Sequence, residues 1–129
     1  METPQFTKVT LCGSLKFEKQ FKEWNERLSL EGHIVYTVSV YPSDKEGNKD
    51  WYTPEIKTLL DIVHLMKIDN SDAIFVIDVA ALDDKPYIGD STRSEMYYAK
   101  QKGKHIILLS DALKHLAAAA TANASETNG

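Results

Sequence analysis

The order of elements written into this sequence predicts a three-layer α/β domain built on a mainly parallel sheet of four to five strands. Two observations carry that reading. Apolar segments rich in β-branched residues alternate along the chain with longer segments of helical periodicity. Gly32 and Gly103 each stand just ahead of such an apolar segment, repeating one helix-to-strand step. Alternation of this kind favours parallel strands joined by right-handed helical crossovers. A chain of 129 residues has room for one such domain. It is expected over residues 1–116, with 117–129 as a disordered tail.

Residues 8–12 read as a short buried strand. Between residues 15 and 30, Phe17, Phe21, Trp24 and Leu28 recur at intervals of four, three and four, the stripe of an amphipathic helix. Gly32 then supplies a left-handed terminator. HIVYTVSV, residues 33–40, is β-branched and aromatic, a second strand. PSDKEGNKD, residues 42–50, is polar with one glycine and reads as an exposed loop. Thr53-Pro54-Glu55 opens a helix, with threonine as cap, proline at the first helical position and an acid near the positive end. Ile56, Leu59, Leu60, Val63 and Met66 form its apolar face.

DAIFVIDV, residues 72–79, is almost continuously apolar, as a strand covered on both faces is. A loop over 80–90 leads to a helix over 91–102, then Gly103 and the strand HIILL at 105–109. Residues 111–120 are compatible with a last helix, and TANASETNG, residues 121–129, is polar and small.

Composition narrows the function. Hydrophobic residues make up 43% and charged residues 26%, ordinary for a globular domain. A net charge of −4 argues against a nucleic-acid polymer or an anionic membrane as the main partner. Any anion site must therefore be local. No apolar stretch reaches the ~20 residues of a transmembrane helix, and METPQFTK has none of the features of a signal peptide. Cys12 is the single cysteine. It fits a reducing compartment, so a cytoplasmic location is expected. At the end of a strand, Cys12 reads as a small buried side chain rather than a reactive thiol.

In parallel α/β folds ligands sit beyond the carboxyl ends of the strands. Three features distant in sequence converge there: Gly13-Ser14 after the first strand, Asp78 near the end of the third, and the loop from Tyr87 to Ser91. A strand that opens through small residues into a helix exposes amides and the positive helix end, a ready anion site. Plain capping by Ser14 explains the same residues. Gly89, Asp90, Ser91 and Thr92 repeat the pattern, with Glu95 expected in the first turn of the helix. Glu95 is either a carboxylate serving the site or the second half of a Thr92-x-x-Glu95 capping box. Asp78 lies in an apolar run, where an uncompensated carboxylate is costly. It either protrudes at the strand end or serves the site. His64 has no cysteine or second histidine at ligand spacing in the sequence, so it reads as a partly buried histidine rather than a metal ligand. His33, His105 and His115 carry no signal, and Lys67 and Arg93 read as solvated helix residues.

CGSLKF (12–17), HLMKIDNSDAIFVID (64–78) and YIGDSTRSEMYYAKQKGKHIILL (87–109), in this order and spacing, resemble the nucleoside 2-deoxyribosyltransferase-like superfamily. The likeness is to its small bacterial and phage members, a group that includes deoxynucleoside 5′-monophosphate N-glycosidases and CMP-type N-glycosidases. It spans residues 8 to about 110. The resemblance implies a flavodoxin-like, Rossmann-like fold and chemistry at the bond between a nucleobase and the anomeric carbon. It implies Glu95 as nucleophile and assigns Gly13, Ser14 and Lys16 to a 5′-phosphate. Phe17 would lie against the base, Gly89, Asp90 and Ser91 in a second phosphate clamp, and Asp78 by the base or sugar as a second catalytic group. It further implies a small-molecule nucleotide substrate, no metal or organic cofactor, and a homodimer or higher homo-oligomer. Lys16 stands where many relatives carry arginine and lacks the bidentate fork. The loop AALDDK, 80–85, is longer than in those relatives. A non-catalytic nucleotide-binding or sensing module would use the same phosphate loops.

Overall fold

The computed structural model describes residues 8–127, with side chains described for residues 8–122. The chain runs β1 (Lys8–Gly13), a short 3-10 turn (Leu15–Phe17), α1 (Glu18–Leu30), β2 (Ile34–Tyr36), a second 3-10 turn (Pro42–Lys45) and α2 (Pro54–Asp69). Then follow β3 (Ala73–Ile77), α3 (Asp90–Gln101), β4 (His105–Leu108) and α4 (Leu109–Thr127). The four strands form one sheet in the order β2-β1-β3-β4, every pairing parallel, with helices on both faces. This is the three-layer, flavodoxin-like arrangement expected from the alternation.

The period of a strand sorts the side chains between the layers. Val9 and Leu11 of β1 join Phe75 and Ile77 of β3 in a core closed by Phe21, Trp24 and Leu28 of α1 and by Leu109 of α4. The stripe read from the sequence is that face, and Trp24 stacks on Phe75 at 5.1 Å between ring centres. Cys12 points the other way, with Ile74 and Val76, toward Ile68 of α2 and Ala99 of α3. Thr10 shares that side, where its hydroxyl bonds Ser71.

Thr53 caps α2 as expected, its hydroxyl accepting from the Ile56 N–H at 3.2 Å, with Pro54 first in the helix. The α2 apolar face is only half covered: Leu59 is 59% and Met66 56% exposed, and Ile62 is exposed beside them.

The second strand is shorter than residues 33–40 predict. After Tyr36 the chain leaves the sheet, and the Lys67 ammonium donates to the Thr37 carbonyl at 2.6 Å and the Ser39 hydroxyl at 2.7 Å. The other end also differs. Residues 117–127, expected to be disordered, continue α4. Ala117 to Ala120 are the strongest helix formers and extend a helix nucleated on the sheet.

Candidate active site

A cavity of about 660 Å³ opens beyond the carboxyl end of β1 and at the N-terminus of α3, within the usual size of small-molecule sites. Gly13, Ser14, Gly89, Asp90, Ser91 and Glu95 all line it. Residues from two loops 75 positions apart in sequence thus share one wall with the carboxylate. Lys16, Phe17 and Asp78 do not line it.

Gly13 is required by packing. Its φ of 152° and a Cβ position only 2.7 Å from the Ile77 carbonyl oxygen exclude any side chain. β1 and β3 come together at this point, in register Gly13 with Ile77. Ser14 caps the short turn that follows, its hydroxyl accepting from the Lys16 N–H at 3.3 Å. The Lys16 ammonium rests 3.5 Å from the centre of the Tyr87 ring, a cation–π contact. Tyr87 is itself a cavity residue. Phe17, expected against a base, is 7% exposed and belongs to the α1 core. Its place in the stripe with Phe21 and Trp24 turned it inward.

Asp78 also lies away from the cavity lining. It is 1% exposed, and Ser110 satisfies both oxygens: the N–H donates to Oδ1 at 2.9 Å and the hydroxyl to Oδ2 at 2.7 Å. Ser110 lies in the first turn of α4, whose leading amides have no partner within the helix. From the end of β3, Asp78 therefore caps α4. The long loop after it does no harm to the site. The Tyr87 N–H donates to the Asp78 carbonyl at 2.7 Å, so the chain returns to where it left the sheet before α3 begins.

α3 starts at Asp90 with Gly89 as its cap, which has no side chain to bond its first amides. Thr92, buried in the first turn, is not the cap, so the capping box with Glu95 does not form. Glu95 lies in the second turn, one turn further along than the sequence suggested. Its Oε2 is 3.4 Å from His64 Nε2. Burial first, and the field of Asp61 second, push the Glu95 carboxyl up to about 7. Burial, with the Lys67 ammonium adding, pulls His64 down to about 4. Cys12 Sγ lies 3.5 Å from the same His64 nitrogen. Its thiol is raised by burial and by the nearby Glu95 charge.

His64 and Cys12 are the residues sequence reasoning passed over. They meet because β1 alternation sends Cys12 to the α2–α3 face, where α2 delivers His64. Residues 38–52, of which 42–50 read as an exposed loop and 38–40 as the end of a strand, supply another wall, with Trp51 and Tyr52 as its aromatic members. Among the described residues no helix is long and apolar enough to cross a membrane.

No protein-family model matches the sequence, and no curated protein is significantly similar to it. Among solved structures the chain is similar to a 2-deoxyribosyltransferase from the psychrotolerant bacterium Bacillus psychrosaccharolyticus. The two are 20% identical with a TM-score of 0.58, over 78% of this chain and 70% of that one. The chain therefore has a 2-deoxyribosyltransferase-like fold.

Proposed function

We propose that the protein acts on the N-glycosidic bond of a nucleoside 5′-monophosphate, with Glu95 as nucleophile. One observation carries the reading: the Glu95 carboxylate and the two amide-rich turns at Gly13-Ser14 and Gly89–Ser91 line the same cavity. The N-terminus of α3, capped by Gly89 alone, favours a phosphate, and Lys16 rests on Tyr87, which lines the cavity. With Phe17 in the core, Trp51, Tyr52 and Tyr87 are the aromatic side chains that can cover a base. The similarity to a 2-deoxyribosyltransferase supports the same class of chemistry.

In the first step a Glu95 oxygen bonds to the anomeric carbon as the carbon–nitrogen bond breaks. The base leaves with the bonding pair and takes a proton from solvent, since Asp78 is committed to Ser110. Water, or a second base, then attacks the anomeric carbon and releases Glu95. Splitting one hard displacement into two easier ones is the gain from a covalent route. His64 contacts Oε2 and holds the carboxyl toward the cavity.

Incubating the protein with ribo- and deoxyribonucleoside monophosphates, with and without a free acceptor base, tests this by chromatography of released and exchanged base. Base release or exchange that disappears in Glu95→Gln supports the reading. Nucleotide binding by parent and variant alike, with no turnover by either, makes the protein a binding or sensing module instead. Assembly as a homodimer in the cytoplasm belongs to the same reading. Leu59, Ile62 and Met66 offer an apolar stripe for a second copy to cover, and light scattering after size exclusion measures that directly.

A further inference from the structure

We propose that Cys12, His64 and Glu95 form a binding site for one divalent cation of the zinc class, with a coordination position left open to the cavity. The three ligand atoms come from β1, α2 and α3, and all lie within 4.8 Å of one another.

The separations suit the ion. With metal–sulfur bonds of about 2.3 Å and metal–nitrogen or metal–oxygen bonds of about 2.0–2.1 Å, tetrahedral angles give edges of about 3.6 Å for S···N and about 3.3 Å for N···O. The observed edges are 3.5 Å from Cys12 Sγ to His64 Nε2 and 3.4 Å from His64 Nε2 to Glu95 Oε2. The third edge, from Cys12 Sγ to a Glu95 oxygen, is within 4.8 Å.

The ring is also oriented for it. His64 hydrogen bonds to the Leu11 backbone in a way that favours its charged form, so the ring donates to that carbonyl. Nε2 faces Cys12 and Glu95, which leaves Nδ1 as the donor and Nε2 with its lone pair toward the cluster. An imidazole held by its second nitrogen in this way is the usual support of a metal-ligating histidine.

Charge selects the class of ion. A thiolate and a carboxylate together neutralise a dication, which makes the occupied site neutral in a buried place. The ion itself removes the proton from a coordinating thiol. Asp61 adds negative field felt by both Glu95 and His64, against the opposing Lys67 ammonium. Sulfur and imidazole donors disfavour magnesium and calcium, which take oxygen. Cys12, His64 and Glu95 fill three positions and leave the fourth to water or substrate, as in an open rather than a closed zinc site. If the proposed reaction is correct, the bound ion occupies its nucleophile and inhibits it. That consequence rests on the previous reading, whereas the site itself does not.

Titration of the full chain with Co²⁺, followed by displacement with Zn²⁺, tests the site without any activity assay. The expected result is one equivalent of Co²⁺, a near-ultraviolet sulfur-to-cobalt absorption, and its loss on adding one equivalent of Zn²⁺. Cys12→Ala should abolish that band, and Cys12→Ala and His64→Gln should each weaken Zn²⁺ binding beyond the roughly 10–100-fold cost of losing an outer-shell partner. A parent protein that takes up no Co²⁺, or takes it up without the sulfur band, overturns the proposal. So does a folded Cys12→Ala that binds Zn²⁺ as tightly as the parent. The parent spectrum decides alone if a variant does not fold. Absence of glycosidic activity leaves these optical results standing.

Discussion

His64 Nε2 lies 3.4 Å from Glu95 Oε2, an ion-pair distance, yet burial shifts both groups toward their neutral forms. Burial holds Glu95 protonated up to about 7 and His64 unprotonated down to about 4. Between those values the contact joins two neutral groups.

Stability against pH follows with opposite signs for the two groups. Glu95 binds its proton more tightly folded than unfolded, so its contribution is lost as pH rises from 4.5 to about 7. His64 binds its proton less tightly folded, so stability rises as pH climbs from about 4 to 6.5. The slopes oppose each other and leave the parent nearly flat where they overlap. Glu95→Gln removes one of them. The variant should match the parent near pH 4.5 and exceed it above pH 7 by on the order of 3 kcal/mol. Urea unfolding at acid, intermediate and alkaline pH checks this; a gap that stays constant with pH contradicts it.

Activity should follow the same carboxyl. Under the proposed reaction only ionised Glu95 attacks, so kcat/KM of chelator-treated protein rises with pH and levels off above about 7. An unphosphorylated nucleoside should be run in parallel, because a phosphate monoester titrates near ~6 by itself. An acid limb at an ordinary carboxylate value in both substrates would show that Glu95 is not the group being titrated.

Legibility differed by the distance over which each cause acts. Thr53-Pro54 and the stripe Phe21, Trp24, Leu28 act within a few residues, and both were read correctly. Glu95 could be numbered but not oriented, because the choice of Gly89 over Thr92 as cap depends on how the long loop returns to the Asp78 carbonyl. Asp78 itself looked anomalous in its apolar run. Its partner, Ser110, is 32 residues away, across the β3–β4 pairing. Cys12 and His64 carry no site signal when each is taken alone in the sequence. Ligand spacing along the chain cannot reveal a cluster drawn from three elements, although the alternation of β1 did contain the direction of Cys12.

Gly13 and Gly89 look alike in sequence and should respond differently to a methyl group. At Gly13 an added Cβ meets the Ile77 backbone oxygen at 2.7 Å and the backbone sits at positive φ. Neither can relax without parting β1 from β3, so Gly13→Ala should cost about 3 kcal/mol or more. At Gly89 the nearest atom is the Tyr87 hydroxyl at 3.4 Å, the far end of a side chain, and φ is −81°. Gly89→Ala should change stability by less than about 1 kcal/mol. Equal losses in chemical denaturation would mean that Gly13 is not held by this close approach.

Asp78 allows capping and catalysis to be told apart in one variant. Asp78→Ala strands a buried N–H and a buried hydroxyl on Ser110, a loss of about 2–4 kcal/mol. Asp78→Asn keeps one acceptor for the amide and should lose less. If the carboxylate only anchors α4, the Asn variant keeps kcat per folded molecule within about tenfold, against the roughly 10²–10⁴ that removal of a catalytic acid costs. The companion change Ser110→Ala sharpens the test. Asp78 and Ser110 share both hydrogen bonds, so the double variant should be less destabilised than the sum of the singles. Additive losses would show that the two side chains do not act through shared bonds, and a kcat that collapses while the fold holds would return Asp78 to the active site.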